Sequence, residues 1–135
     1  MNFQRIDPAH LNSRQRENYN FQKVSALLAD FGFMTIRLSD DWNGADFIAQ
    51  HIDGIAFLKI QLKGRLYFDK KYQGKDLWIA FPHDESWYLY PHDSFLIQVL
   101  ATSSVELTSS WRDGGAYSFP RPSKSQLDLL KQYKL

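Results

Sequence analysis

Four residues of this 135-residue chain stand out for what their types and spacing could do: Glu17, Asp46, Gln61 and Lys63. Asp53-Gly54 between two strand-like runs, 45–50 and 55–63, is a tight-hairpin signal. A two-residue loop there sets Ile52 against Ile55 and Asp46 directly across from Gln61, with Cβ atoms about 4.5–5.5 Å apart on one face. Strand alternation adds Lys59 and Lys63 to that face and leaves Ala56, Leu58, Ile60 and Leu62 as an apolar reverse. Ile55 and Phe57 continue the polar face as apolar, so the polar groups gather at one end of a strand otherwise expected to be buried on both sides.

Glu17 belongs to a different element. Asn12 with Gln15 reads as a capping box opening a helix from Ser13 to Phe31, with Gly32 as its stop. At 100° per residue, Phe21, Val24, Leu28 and Phe31 lie within about 40° of one direction, and Glu17 shares it. A carboxylate centred on an apolar stripe is costly unless a cation, a hydrogen-bond network or a metal meets it. The alternative is that Glu17 sits in a fraying first turn, reaches solvent and favours the helix dipole.

Other constellations are weaker. His83-Asp84 and His92-Asp93 could be read as dyads, but neighbours on a strand face opposite ways, and Asp93 suits a helix N-cap. Gly114-Gly115 after Asp113 reads as a hairpin turn rather than a phosphate loop, and no GxSxG motif occurs. With no cysteine, disulfides, thiolate catalysis and Cys-type zinc sites are excluded.

The net charge of +1 gives no general attraction to polyanions, yet charge is unevenly placed. Lys59, Lys63, Arg65, Lys70, Lys71 and Lys75 face a single acid, Asp69, with Tyr67, Phe68 and Tyr72 interleaved. That composition suits a phosphate backbone and stacked bases, or equally a solvated lysine-rich loop. Trp111, Arg112, Tyr117 and Arg121 could contact DNA or, for the aromatics, pack in the core.

The remaining elements complete the frame. Asp7-Pro8 caps a short turn, 33–38 reads as a strand, and 77–81 and 87–90 as two more joined through Pro82-His83-Asp84-Glu85. A helix over 93–100, a β-excursion over 111–119 and a helix capped by Ser123 and Gln126 to about Tyr133 follow. The segment 102–110 gives no signal. This order indicates an α/β fold, a mixed sheet flanked by helices, in one domain over 1–135 with a core at about 13–100 and a C-terminal extension at about 101–135. No apolar run reaches the ~18–20 residues of a membrane span and no signal-peptide pattern opens the chain, so a cytoplasmic location is the expectation.

Glu17 on a first helix, Asp46 on a strand and Gln61-Leu62-Lys63 on its partner resemble the PD-(D/E)XK nuclease superfamily, whose restriction-endonuclease-like fold is shared by Holliday-junction resolvases and some intron homing endonucleases. The resemblance spans about 13–81. Ala45 stands where proline is common, and Gln61 replaces the usual acid. By resemblance Asp46 is the main metal ligand, Gln61 adds a side-chain oxygen, Glu17 ligates directly or through water, and Lys63 orients or deprotonates the attacking water. The resemblance implies a Mg2+-dependent endonuclease (Mn2+ as substitute) acting on duplex or branched DNA, placed by Lys59, Arg65, Lys70, Lys71 and Lys75, and working as a homodimer. The missing charge at Gln61 also motivates a catalytically inactive DNA-binding module on the same scaffold.

Overall fold

The computed structural model describes residues 1–103 and 108–135; positions 104–107, inside the expected C-terminal extension, lie outside the described residues. A 3-10 turn, Pro8–His10, is capped by Asp7, whose side chain accepts from the Ala9 N–H. Helix α1, Ser13–Asp30, opens with the expected capping box: Asn12 accepts from Gln15 N–H, and the Gln15 side chain accepts from Asn12 N–H. Gly32 ends it at φ +83°, and a Cβ there would stand 2.8 Å from the His51 ring.

Among the described residues there are seven strands, six of them where the sequence reads as strand and one, over 66–69, inside the basic segment that reads as a loop. They are β1 Phe33–Trp42, β2 Ala45–His51, β3 Phe57–Leu62, β4 Leu66–Asp69, β5 Leu77–His83, β6 Ser86–Pro91 and β7 Ala116–Phe119. Helices α2 His92–Thr102, α3 Ser109–Arg112 and α4 Lys124–Leu130 complete the regular elements. Among the described residues, five strands form a mixed sheet ordered β1-β2-β3-β5-β6, in which the β3–β5 pair is parallel and the others antiparallel; β4 and β7 make a separate antiparallel pair.

That parallel pair has a consequence for chemistry. Two parallel neighbours need a crossover connection, so the basic segment between β3 and β5 cannot be a simple turn. It leaves β3 at Lys63, builds β4 and a 3-10 turn at Lys70–Tyr72, and returns to the sheet at Leu77.

Helix α1 covers one face of the sheet, where Val24 and Leu28 meet Phe47, Ala49, Ile60, Ala80, Trp87 and Leu89. The opposite face is covered at β5 and β6, where Ile79, Phe81 and Tyr90 pack on α2 through Phe95, Leu96 and Val99 and on the small sheet through Leu66 and Phe68. His92 locks the small sheet to α2: its Nε2 accepts from the Asp69 N–H at 3.1 Å, and its Nδ1 lies 2.8 Å from Asp93 Oδ1. The two residues therefore touch, in a structural role, and Asp93 is inside the first helical turn rather than at the N-cap, which is Pro91.

Other expectations change with packing. The hairpin register is the expected one, with Phe47 opposite Ile60 and Gln50 opposite Phe57. The loop is wider than two residues: His51 N–H bonds Ala56 O, and Asp53 Oδ1 accepts from both Ile55 and Ala56 N–H. Ile55 and Phe57 are exposed rather than buried, because no helix covers that end of the outer face. Phe31 is half exposed for a related reason, since it is the C-cap of α1 and lies past the last turn facing the sheet. Trp111 lies on α3, and Ala116–Phe119 pairs with β4, so the segment is no hairpin around Gly114-Gly115.

Core and hairpin should respond differently to truncation. Phe47→Ala should cost about 3–5 kcal/mol in chemical denaturation, and Ile55→Ala less than about 0.5 kcal/mol.

Candidate active site

Asp46 is the second residue of β2, and extending the β2–β3 ladder one step past Phe47–Ile60 sets it opposite Gln61. The ladder is diverted there. The Leu62 N–H donates to Asp46 Oδ2 at 2.8 Å, so the carboxylate itself closes the end of the strand pair. Asp46 Oδ1 and the whole Gln61 side-chain amide form no hydrogen bond among the described residues. Two oxygen donors from adjoining strands thus remain uncommitted.

Three concavities meet at Asp46. One, of 330 Å³, is lined by all four residues singled out in the sequence: Glu17, Asp46, Gln61 and Lys63. A second brings Asp41, Lys71, Tyr72 and Lys75 to the other side of Asp46, Gln61 and Lys63. A third joins Asp46 and Glu17 to Arg14, Arg37, Asp40 and Asp41. The helix, the hairpin and the crossover each supply one wall.

Charge in this site is held against solvent. Burial raises the Asp46 pKa above the ordinary value of 3.8; the Leu62 N–H opposes this, Glu17 raises it further, and Lys63 pulls it down. Burial lowers the Lys63 pKa below 10.5, and Lys71 lowers it further, while Asp46 and Asp69 pull the other way. Lys63 Nζ sits 4.3 Å from the centroid of the Tyr67 ring, where the ring face partly replaces lost water.

Glu17 differs from its expectation. It is about half exposed rather than buried, and its cation is a protein one: Arg37 Nη2 donates to Glu17 Oε1 at 2.8 Å, and Arg37 also bonds the Asn18 side chain. Its position one turn before the apolar stripe explains the exposure, since that stripe begins at Phe21, which packs edge-on against Phe47 at 5.1 Å.

The basic segment divides. Lys71 and Lys75 line a concavity beside Asp46. Lys59 Nζ donates to Lys75 O at 2.7 Å and ties the crossover to β3. Lys70 lies over the Trp111 ring, and Arg65 is exposed but lines none of the three concavities. Phe68 and Tyr72 are buried in the core and offer no faces for stacked bases, while Tyr67 is half-buried, donates through its hydroxyl to Asp69 and has Lys63 over its ring. Trp111 is buried as well and cannot meet a ligand.

Sequence reading missed Arg14, Arg37 and Asp41. Arg14 lies three residues before Glu17, a spacing that puts both on one helix side and was legible in principle. Arg37 pairs with Phe47 in the β1–β2 ladder, but its approach to α1 is a packing result with no local signature. Asp41 precedes the tight β1–β2 turn, where its Oδ1 accepts from the Gly44 N–H.

The donors suit a hard divalent cation, which binds through one or two carboxylates plus waters and substrate oxygens. Among the described residues, no three His, Asp or Glu side chains gather closely enough to form a cage. The set is thinner, one carboxylate and one amide oxygen, with Glu17 and Asp41 nearby.

No family model matches the chain, and no curated protein matches it. Solved structures do. A Holliday junction resolvase, Hjc of the archaeal hyperthermophile Archaeoglobus fulgidus, is 18% identical with a TM-score of 0.43 over 55% of this chain and 70% of that one. A bacterial homing endonuclease is 17% identical with a TM-score of 0.50 over 85% of this chain and 80% of that one. The second likeness, across most of both chains, establishes the fold as restriction-endonuclease-like, with the mixed sheet and flanking helices expected from sequence.

The raised Asp46 pKa carries a sign for stability. Folding favours the neutral form, so the wild type is penalised above the shifted pKa and the penalty vanishes below about 3.8. Asp46→Asn should melt at or above the wild-type temperature at pH 7, with the gap closing as pH falls toward 4. A drop of several degrees at pH 7 would contradict this.

Proposed function

We propose, on the premise of a restriction-endonuclease-like fold, that this chain is a divalent-metal-dependent endonuclease hydrolysing DNA phosphodiesters at Asp46, Gln61 and Lys63. The observation that supports it most is the shared concavity, in which a pinned carboxylate, a free amide oxygen and a half-buried ammonium converge.

Each side chain has a distinct task. Asp46 keeps Oδ2 on the Leu62 N–H and offers Oδ1 to a cation; Gln61 offers its Oε1 beside it. Bound there, Mg2+ or Mn2+ would lower the pKa of a water and neutralise charge on the phosphate. Lys63 is desolvated beside Asp46, so its neutral amine is more accessible than an exposed lysine's; that amine orients the attacking water and takes its proton as the water O–P bond forms, and the resulting ammonium stabilises charge on the phosphorus oxygens and returns the proton to the ester oxygen as it leaves. Glu17, fixed by Arg37, adds negative charge toward the cation through solvent. Lys71 and Lys75 on one side and Arg14 on the other provide cations along which a phosphate backbone can lie.

A second reading, a DNA-binding module without cleavage, is favoured by the neutral Gln61 and by the neutralisation of Glu17 by Arg37. The two readings separate in one experiment. Purified protein with Mg2+ or Mn2+ should cleave duplex or branched DNA, and Lys63→Ala should slow cleavage about 10²–10³-fold, the usual cost of losing one transition-state electrostatic contact. Asp46→Ala should abolish it, and Gln61→Glu should tighten metal binding in calorimetry. Salt-sensitive DNA binding without cleavage or metal uptake would select the module instead.

A further inference from the structure

The β1–β2 hairpin is irregular at the site itself. Arg37 pairs with Phe47 and the next pair is Trp42 with Ala45, so residues 38–41 of β1 stand against the single residue Asp46 of β2. Extra residues in one strand of a pair increase the local twist and re-aim the side chains beyond them. The tip that follows is fixed. Asn43 and Gly44 turn the chain at φ +54° and +90°, and Asp41 Oδ1 accepts from the Gly44 N–H at 2.8 Å. A Cβ on Gly44 would stand 2.7 Å from Leu77 and 3.0 Å from the Tyr72 ring, so the turn is seated on the core.

Trp42 is carried by this tip and is 50% exposed. The aromatics of the basic segment are otherwise engaged: Phe68 and Tyr72 are buried, and Tyr67 has Lys63 over its ring. Lys59 Nζ lies 6.0 Å from the centroid of the Trp42 ring. Its bond to Lys75 O uses one of three ammonium donors. Beside the tip lies a concavity of 310 Å³ lined by Asn43, Lys59, Gly74, Lys75 and Asp76. Lys75 also lines the concavity that holds Asp46, Gln61 and Lys63, so the two adjoin.

We propose that Trp42, with Lys59 and Lys75, forms a stacking subsite for one unpaired nucleotide of a DNA strand, next to the bond that is cut.

Chemistry selects the ligand class. An indole face held half open by a rigid turn stacks on a nucleobase of any identity, because every base has a π-face. The two lysines beside it suit the phosphates that flank such a base. A purely apolar partner would bury both ammonium groups without an anion, at a cost that a nucleotide removes. Pairing state follows from geometry. Inside a continuous duplex the neighbours cover both faces of a base, so a protein ring meets a face where the base is unpaired, bulged or terminal. The place beside a scissile bond rests on the nuclease reading; the stacking rests on DNA binding alone.

The test is DNA binding in EDTA, so that neither metal nor cleavage enters. Fluorescence anisotropy compares a duplex with the same duplex carrying one extra unpaired thymidine, and the identical ends cancel in the ratio of affinities. The wild type should prefer the bulged duplex about 5–150-fold, the range that one stacked base contributes. Trp42→Ala should bring the ratio close to one with an unchanged circular dichroism spectrum, and Trp42→Phe, which keeps a ring, should retain most of it. The bulged duplex should also quench the tryptophan emission of the wild type more than that of Trp42→Phe. Equal affinity of the wild type for the two duplexes, a preference that survives Trp42→Ala, or a Trp42→Phe ratio as low as that of Trp42→Ala would each overturn the inference and leave DNA binding standing. No binding to either duplex would overturn it together with the nuclease reading.

Discussion

The hydrogen bond from Leu62 N–H to Asp46 Oδ2 is where backbone geometry becomes chemistry. A carboxylate taken out of water prefers to be neutral, and burial at this strand end raises the Asp46 pKa accordingly. One backbone donor offsets part of that cost and fixes the side chain so that its second oxygen faces the same space as the Gln61 amide. Glu17 and Asp41 add repulsion and Lys63 adds attraction, and the balance leaves a carboxylate that gains by meeting a cation. The charged form of Asp46 is therefore held at a cost to the fold.

Everything that positions the bond is ordinary packing. The β2–β3 register depends on Phe47, Ala49 and Ile60 being buried under α1, because a slip of one residue would turn them outward and Asp46 inward. The crossover forced by the parallel β3–β5 pair brings Lys71 and Lys75 back beside Lys63, and Lys59 anchors its return through the Lys75 carbonyl. His92 fixes the other end of the crossover by accepting from the Asp69 N–H.

Local and periodic features were legible in the sequence. Both capping boxes, at Asn12 and Ser123, and the hairpin register appear as read, since each is decided by residues a few positions apart. Non-local contacts were not legible. Nothing near Glu17 announces Arg37, twenty positions away on a strand whose approach to α1 is set by the whole core. The aromatics of the basic segment looked like stacking platforms because interleaving with lysines is equally the pattern of a small amphipathic sheet, and Leu66 and Phe68 settle it by pointing inward. Phe57 and Ile55 looked buried because apolar strand residues usually are; their exposure reflects how little of the outer face α2 covers.

The central claim is that a divalent cation binds between Asp46 and Gln61. An amide-resolved NMR titration with Mg2+ tests it most directly, because Leu62 N–H and the Gln61 side-chain NH2 are both reporters within the site. Saturable shifts centred on these two signals, and absent in Asp46→Asn, are the expected result. A spectrum unchanged at Leu62 and Gln61, with and without DNA, would contradict the account.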